Sequence, residues 1–558
     1  MREELARTRR FAAVGGALLA AAMLIVCLGS GPVAACEGGG GHGGGSCGGG
    51  GWGGWGGWGG WGGCCPCDGG LTEWLADYDD WFVAENWNNG VPNFRKTARI
   101  DNWGTANIET SWGTADELQL GYAEFSGGTL MIGPDGNLAV TGDELLGVTG
   151  DGTIIQLGGE NRLYCGGLLM GRDETASGTY ALEDGELSAS CGETIGQAGV
   201  GSFYQAAGCN AIYGGGLGLG IEATGVGSYA MDDGYLCVAG CETIGDDGLG
   251  SFYQAGGTHA VWWGGIMLGK AVGSQGAYSL EAGDLWVCGS VTVGREGLAS
   301  IDILDGEMLV GGCLILGDKA DGSGTVALDG GLLNIGGCEV IADEGTGIFA
   351  QTGGVHVVHQ ALVVGGAADS FAMVSLAGGE LIARRLCVGT QGGMGMFDIF
   401  DAAAYVEVDD CLVFGADAYL TAAYGSQIVV TGGSVVNEST DEYSLAGLEN
   451  VAVVFDGNRH CWAWSSYEVA GADLGDDAIG FLDNFALDAL VVGGAEPAKV
   501  VLRDCIDNGN RSSCEALYVH NVIVGPGSVL HLGGLNLYYD GVLDNQGQII
   551  GGEVTPIP

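Results

Sequence analysis

The chain is expected to be all-β, a right-handed parallel β-helix (β-solenoid) of about 23–26 residues per coil. Three observations carry that expectation. One passage is written twice, 49 residues apart: GTYALEDGEL at 178–187 returns as GSYAMDDGYL at 227–236, and GSFYQA at 201–206 returns at 250–255. An aromatic or branched anchor recurs at Ile154, Tyr180, Phe203, Tyr229, Phe252, Tyr278, Ile301, Val326, Phe349 and Val374, in steps of 26, 23, 26, 23, 26, 23, 25, 23 and 25. The 114 glycines fall at register positions with Val, Ile, Leu and aromatics between them, and helical patterning is almost absent. A fixed period of this size belongs to a solenoid, because one coil cannot bury its apolar face alone and stacks on its neighbours.

The segments follow in order. Residues 1–35 read as a signal peptide: Arg7, Arg9 and Arg10 precede an apolar stretch over 17–28, too short to span a bilayer, and Val33-Ala34-Ala35 offers small residues for cleavage. Cys36 would then lead the mature chain, and Val-Ala-Ala-Cys makes it the candidate lipidation site. Residues 36–70 are a Gly/Trp/Cys-rich low-complexity tether, with Trp52, Trp55, Trp58 and Trp61 at every third position. Residues 71–120 are expected to form an N-terminal β cap that protects the first coil's open edge. The repeat array spans 121–435. Within a coil, strands are expected near 179–182, 187–190 and 193–195, separated by turns such as Glu183-Asp184-Gly185. The 23/26 alternation predicts that alternate coils differ by two or three residues at one corner. Residues 436–558 are irregular coils or a β cap.

Composition excludes several classes. Net charge is −51, from 18 Lys plus Arg against 69 Asp plus Glu, so the surface repels nucleic-acid phosphate. An apolar share of 47% fills a continuous core, and eight prolines without a Gly-X-Y period exclude collagen. No phosphate-cradling Gly-Lys-Ser/Thr or dinucleotide-binding phrase occurs.

Phrases such as GTYALEDGEL…IG…GSFYQAGG, the lead phrase NWNNGVPN, and EALYVHNVIVGPGSVLHLGGLNLYY at 515–539 resemble the glycine-rich repeats of large secreted bacterial surface proteins, of the autotransporter-passenger and PEP-CTERM type. The resemblance covers roughly residues 80–540. It implies a β-solenoid carried outside the cell, extracellular or on the surface, and implies no particular activity.

Candidate chemistry is sparse. Nineteen cysteines in an exported chain permit disulfides. Cys165, Cys191, Cys241, Cys288, Cys313 and Cys338 share a register, Cys387 and Cys411 are expected to continue it, and the file reads as a ladder of buried thiols, with disulfides between neighbouring coils as the alternative. Cys505 and Cys514 flank one short loop and are the candidate disulfide. Asp184, Asp233 and Asp305 precede turn glycines, ordinary turn chemistry; stacked carboxylates, or Asp507-Asn508-Gly509-Asn510, are the candidates for Ca²⁺. No other cofactor and no metal centre is expected.

The expected function is that of an exported, non-catalytic structural or adhesive rod of a bacterial cell surface or extracellular matrix. Its partners would be cell-surface glycans, other surface proteins or further copies of itself. Membrane contact would run only through a lipid on Cys36, with no nucleic acid. The alternatives are a β-helix polysaccharide lyase or hydrolase, or a glycan-binding adhesin module. A lyase needs a base and cations against an acidic sugar. The array offers Arg162, Arg172, Lys270, Arg295, Lys319 and the pair Arg384-Arg385, whose side chains should face opposite ways on a strand. His356 and His359 could share a rim, but satisfied or solvent-exposed histidines are the expected reading.

Overall fold

A computed structural model describes residues 70–459, 464–508 and 515–558. The segment expected to be a signal peptide, Cys36, nearly all of the expected tether, and Cys514 lie outside the described residues. The chain is all-β, a parallel β-solenoid of about 19 turns. It falls into two compact units: Met1–Tyr278 with Gly283–Gly289, and Ser279–Ala282 with Ser290–Pro558.

In the first unit, from Glu144 onward, each coil carries three strands, and each strand pairs in parallel with its counterpart one coil away. Before that, Gly127–Val140 fills two of the three places in one strand, pairing with both Asp151–Gln156 and Glu160–Leu163. Leu168–Met170, Ser177–Leu182 and Glu186–Ala189 are followed by Glu193–Ile195, Val200–Gln205 and Cys209–Ile212. The pairing stacks Leu168 on Glu193, Tyr180 on Phe203 and Leu187 on Asn210. Three sheets result, here called the three-residue, six-residue and four-residue sheets. Strand residues alternate inward and outward, so in Ser177–Leu182 the residues Gly178, Tyr180 and Leu182 are buried while Ser177, Thr179 and Ala181 face out.

The parallel ladder already begins at Leu71, which pairs with Thr97. Residues 71–120 therefore supply coils of their own, and three buried indoles, Trp74, Trp81 and Trp87, pack edge to face at their start, with centroids 4.8–5.0 Å apart.

The anchors behave as the period requires. Tyr180, Phe203, Tyr229, Phe252 and Tyr278 are each at most 2% exposed, and their rings stack in one column with centroids 4.5–4.9 Å apart. The 23/26 alternation arises at two corners rather than one. After the three-residue strand the turn is four residues in 196–199 and six in 220–225. Before it the turn is three residues in 190–192 and four in 213–216. Glycine opens the first of these corners for a steric reason: Gly196 has φ 73°, and a Cβ there would meet Val226 O at 2.2 Å.

The second unit is also built from parallel stacked coils. In Val355–Val364, Glu380–Val388 and Tyr405–Phe414 the four- and three-residue strands merge, with register shifts at 358/361 and 383/385. Beyond 436 the coils become irregular without losing the parallel ladder, which runs to Val554–Pro556 on Asn536–Tyr539. A side cluster of Phe481, Ala486, Ala516, Tyr518, Tyr538 and Ile557 is built on them.

Candidate functional site

Inside the first unit, polar residues form a repeated network. Glu144, Glu193 and Glu242 occupy the first position of alternate three-residue strands, with Leu168, Leu217 and Ile266 on the coils between. All three carboxylates are at most 1% exposed. On the same coils Asn161, Asn210 and His259 point inward from the four-residue strands, and Gln156, Gln205 and Gln254 from the six-residue strands. The tyrosine of the following coil joins them. Tyr229 Oη donates to Gln205 Oε1 at 2.6 Å, and Asn210 Nδ2 lies 3.3 Å from that hydroxyl and 3.0 Å from Glu193 Oε2. Tyr180, Gln156, Asn161 and Glu144 repeat this at 2.6, 3.1 and 3.1 Å. The glutamine Nε2 groups donate to a turn carbonyl and a strand carbonyl, for Gln205 those of Gly208 and Tyr235.

The third copy replaces asparagine by histidine. Glu242 Oε2 lies 3.1 Å from His259 Nε2, His259 Nδ1 lies 3.0 Å from Tyr278 Oη, and that hydroxyl donates to Gln254 Oε1 at 2.6 Å. Carboxylate, imidazole and hydroxyl in series is the set that activates a nucleophile. Here Glu242 and His259 are fully buried and Tyr278 is 1% exposed, and the hydroxyl is spent on a carboxamide of its own chain. A substrate has no approach, so the arrangement works as a core brace. In the second unit Glu339, Gln351 and His356 occupy the same places, with His356 Nε2 2.7 Å from Glu339 Oε2.

Burial sets the charge of this network. It pushes the Glu144 carboxyl up to about 8 and that of Glu193 up to about 7, against the opposing hydrogen bonds from Asn161 and Asn210. Tyr180, Tyr229 and Tyr278 are held well above the usual phenol range, first by burial and then by the nearby glutamates. Glu144 is therefore mostly protonated at neutral pH. That removes most of the cost of burying a carboxylate in an apolar core.

The residues singled out in the sequence lie elsewhere. The two histidines fall as expected: His356 points into the core beside Glu339, and His359 lies on the solvent-exposed surface of the same strand. Arg384 and Arg385 do not face opposite ways, because the register shift at this point leaves both outside. Each approaches Asp410, at 3.9 and 2.9 Å. Arg162, Arg172, Lys270, Arg295 and Lys319 also lie within 4.0 Å of a carboxylate. All seven thus have a carboxylate neighbour, although Arg172, Arg384 and Arg385 remain about half exposed.

The cysteine file is half-buried on the outside, so the buried-ladder expectation is corrected: Cys191, Cys288, Cys313, Cys338 and Cys411 all sit at turns or on outward positions. Cys313 and Cys338 do stack, with Cys338 N 3.4 Å from Cys313 Sγ. Cys411 continues their register through Ala361 and Arg385, whereas Cys387 falls two residues away, over Val363. Cys505 is exposed beside Glu468, which accepts from its backbone N–H. Asp184 and Asp233 accept from the N–H of the glycines that follow them, at 2.7 Å, which is turn chemistry. Asn508 is a clasp: its Nδ2 donates to the carbonyls of Asn437 and Ser439 at 3.1 and 2.7 Å. Among the described residues no three His, Cys, Asp or Glu side chains converge as metal ligands would, and no helix is long and apolar enough to cross a membrane.

Stacked parallel coils with an internal polar brace define a β-solenoid repeat protein. No family model matches the chain, and neither a curated protein nor a solved structure matches it.

Proposed function

We propose that this chain is an exported, non-catalytic structural or adhesive protein of a bacterial cell surface or extracellular matrix. The observation that supports this most directly is the fate of its chemically capable side chains. The carboxylate–imidazole–hydroxyl set at Glu242, His259 and Tyr278 is sealed in the core, and the array's cations are tied to neighbouring carboxylates. The acidic surface keeps such a protein dispersed at low salt. The export reading rests on the charged and apolar segments of residues 1–35.

Two measurements test it. Fractionation of native cells with an antibody should place the protein in the envelope or medium; a cytosolic pool would contradict export. Purified full-length protein, incubated with acidic and neutral polysaccharides, should release neither unsaturated products nor new reducing ends. Turnover abolished by Arg384→Ala would instead establish the lyase alternative.

A further inference from the structure

We propose that the outer face of the four-residue sheet in the first unit is a binding face for an extended, neutral, β-linked polysaccharide. Tyr164, Tyr213 and the Trp262–Trp263 pair would be its stacking platforms.

Register places these aromatics in line. Leu163, Ala189, Ile212, Val238 and Val261 stack coil upon coil, so the residues that follow them, Tyr164, Ser190, Tyr213, Ala239 and Trp262, form the adjoining file. An aromatic therefore recurs every second coil, a spacing of about 9.6 Å. Extended β-1,4-linked glycans repeat every second sugar at a comparable length, so one face of alternate disaccharides would meet a ring. Tyr164, Tyr213 and Trp263 are 51%, 60% and 61% exposed, far more than aromatics that serve packing. Trp262, the member of the file itself, lies against Tyr235 and Cys237, and its neighbour Trp263 is the exposed ring of the pair.

A groove of about 620 Å³ opens on the same sheet, where Asn137, Glu160, Glu186 and Cys209 stack in one file. Asp135 adds a third carboxylate. Asn137, Glu160 and Glu186 lie four residues along each strand from the aromatic file, about 13 Å, and Arg162 offsets Glu160 at 2.7 Å. Glu186, Asp135 and Asn137 still offer acceptors to sugar hydroxyls, and the remaining negative charge disfavours polyuronates. The six-residue sheet offers a contrast. Tyr204 and Tyr253 are also two coils apart on its outer face, but Tyr204 Oη already donates to Asp232 at 2.7 Å.

The inference goes beyond the structural reading, which stands whether or not sugar binds. Affinity electrophoresis of the full-length protein in hydroxyethylcellulose and xylan gels tests it, with amylose and polygalacturonate as comparators. Retardation is expected only in the β-linked neutral gels. Tyr213→Ala and Trp263→Ala should each weaken it about tenfold, and the Tyr204→Ala/Tyr253→Ala double variant should leave it unchanged. These side chains are exposed, so matching thermal unfolding curves would show that the variants fold. Four outcomes would overturn the proposal: no retardation in either β-linked gel, preference for polygalacturonate, indifference to Tyr213→Ala and Trp263→Ala, or loss only on deleting residues 36–69.

Discussion

The hydroxyl of Tyr229 donates to Oε1 of Gln205, one coil away, across 2.6 Å inside the core. Tyr180 with Gln156 and Tyr278 with Gln254 repeat the bond at the same distance. The Tyr–Phe alternation of the anchor column is therefore chemical. Tyrosine stands on the coils whose ring reaches back to a buried carboxamide, and phenylalanine on the coils that carry that carboxamide.

Tyr229→Phe keeps the ring stack and leaves Gln205 Oε1 buried without its donor. The expected cost is about 1–3 kcal/mol, read as a lower denaturant midpoint at unchanged m-value. Wild-type stability in this variant would show that the hydroxyl contributes nothing.

Phe252 lies between Tyr229 and Tyr278, with centroids 4.8 and 4.7 Å away. Phe252→Ala should cost about 3–5 kcal/mol, because the stacked rings on both sides cannot close the gap without breaking register. Equilibrium unfolding measures it, and a loss below about 1 kcal/mol would mean that the column relaxes freely.

The coil was legible because its signal is steric and repeats: glycine at the corners, a large apolar anchor at one strand position, turns of Asp and Gly. The polar brace was present in the same letters and was not read. Glu144, Glu193 and Glu242 stand 49 residues apart, each followed 17 residues later by Asn161, Asn210 or His259. Glutamate is so rarely buried that its place in a repeat reads as surface. Only the alternation of Glu with Leu at one stacked position marks it as inward. The paired arginines were misplaced for a different reason. A bulge breaks the period-two rule at Arg384 and Arg385, and nothing in their letters announces it.

Buried acids give the first unit a pH dependence. Glu144 and Glu193 hold their protons in the folded state up to about 8 and about 7, and release them from about 4.5 upward when unfolded. Unfolding thus releases protons inside those windows, so the stability these groups contribute is full below the unfolded value and is lost as pH rises through the folded one. Each lowers stability by at most about 1.4 kcal/mol per pH unit within its window. General repulsion among the surface acids acts in the same direction, so the comparison of wild type with Glu193→Gln isolates the buried group. Relative to the variant, wild-type stability should fall between pH 4.5 and 7 and then level off. A difference that stays constant across that window would show that Glu193 is not protonated in the core.

The second unit offers the converse experiment. Val374 stacks on Phe349 as Tyr229 stacks on Phe203, and Gln351 and His356 occupy the places of Gln205 and Asn210. Valine brings no hydroxyl, and the two atoms that a tyrosine would reach, Gln351 Oε1 and His356 Nδ1, have no hydrogen-bond partner. Val374→Tyr should supply both. The ring adds volume, and inserting it between Phe349 and Phe397 carries a repacking cost. Val374→Phe carries the same cost without the hydroxyl, which makes it the reference. Tyrosine at 374 should exceed phenylalanine by about 1 kcal/mol per hydrogen bond made, measured by denaturant unfolding. If the two variants unfold together, the hydroxyl finds neither partner, and the brace of the first unit does not transfer to the second.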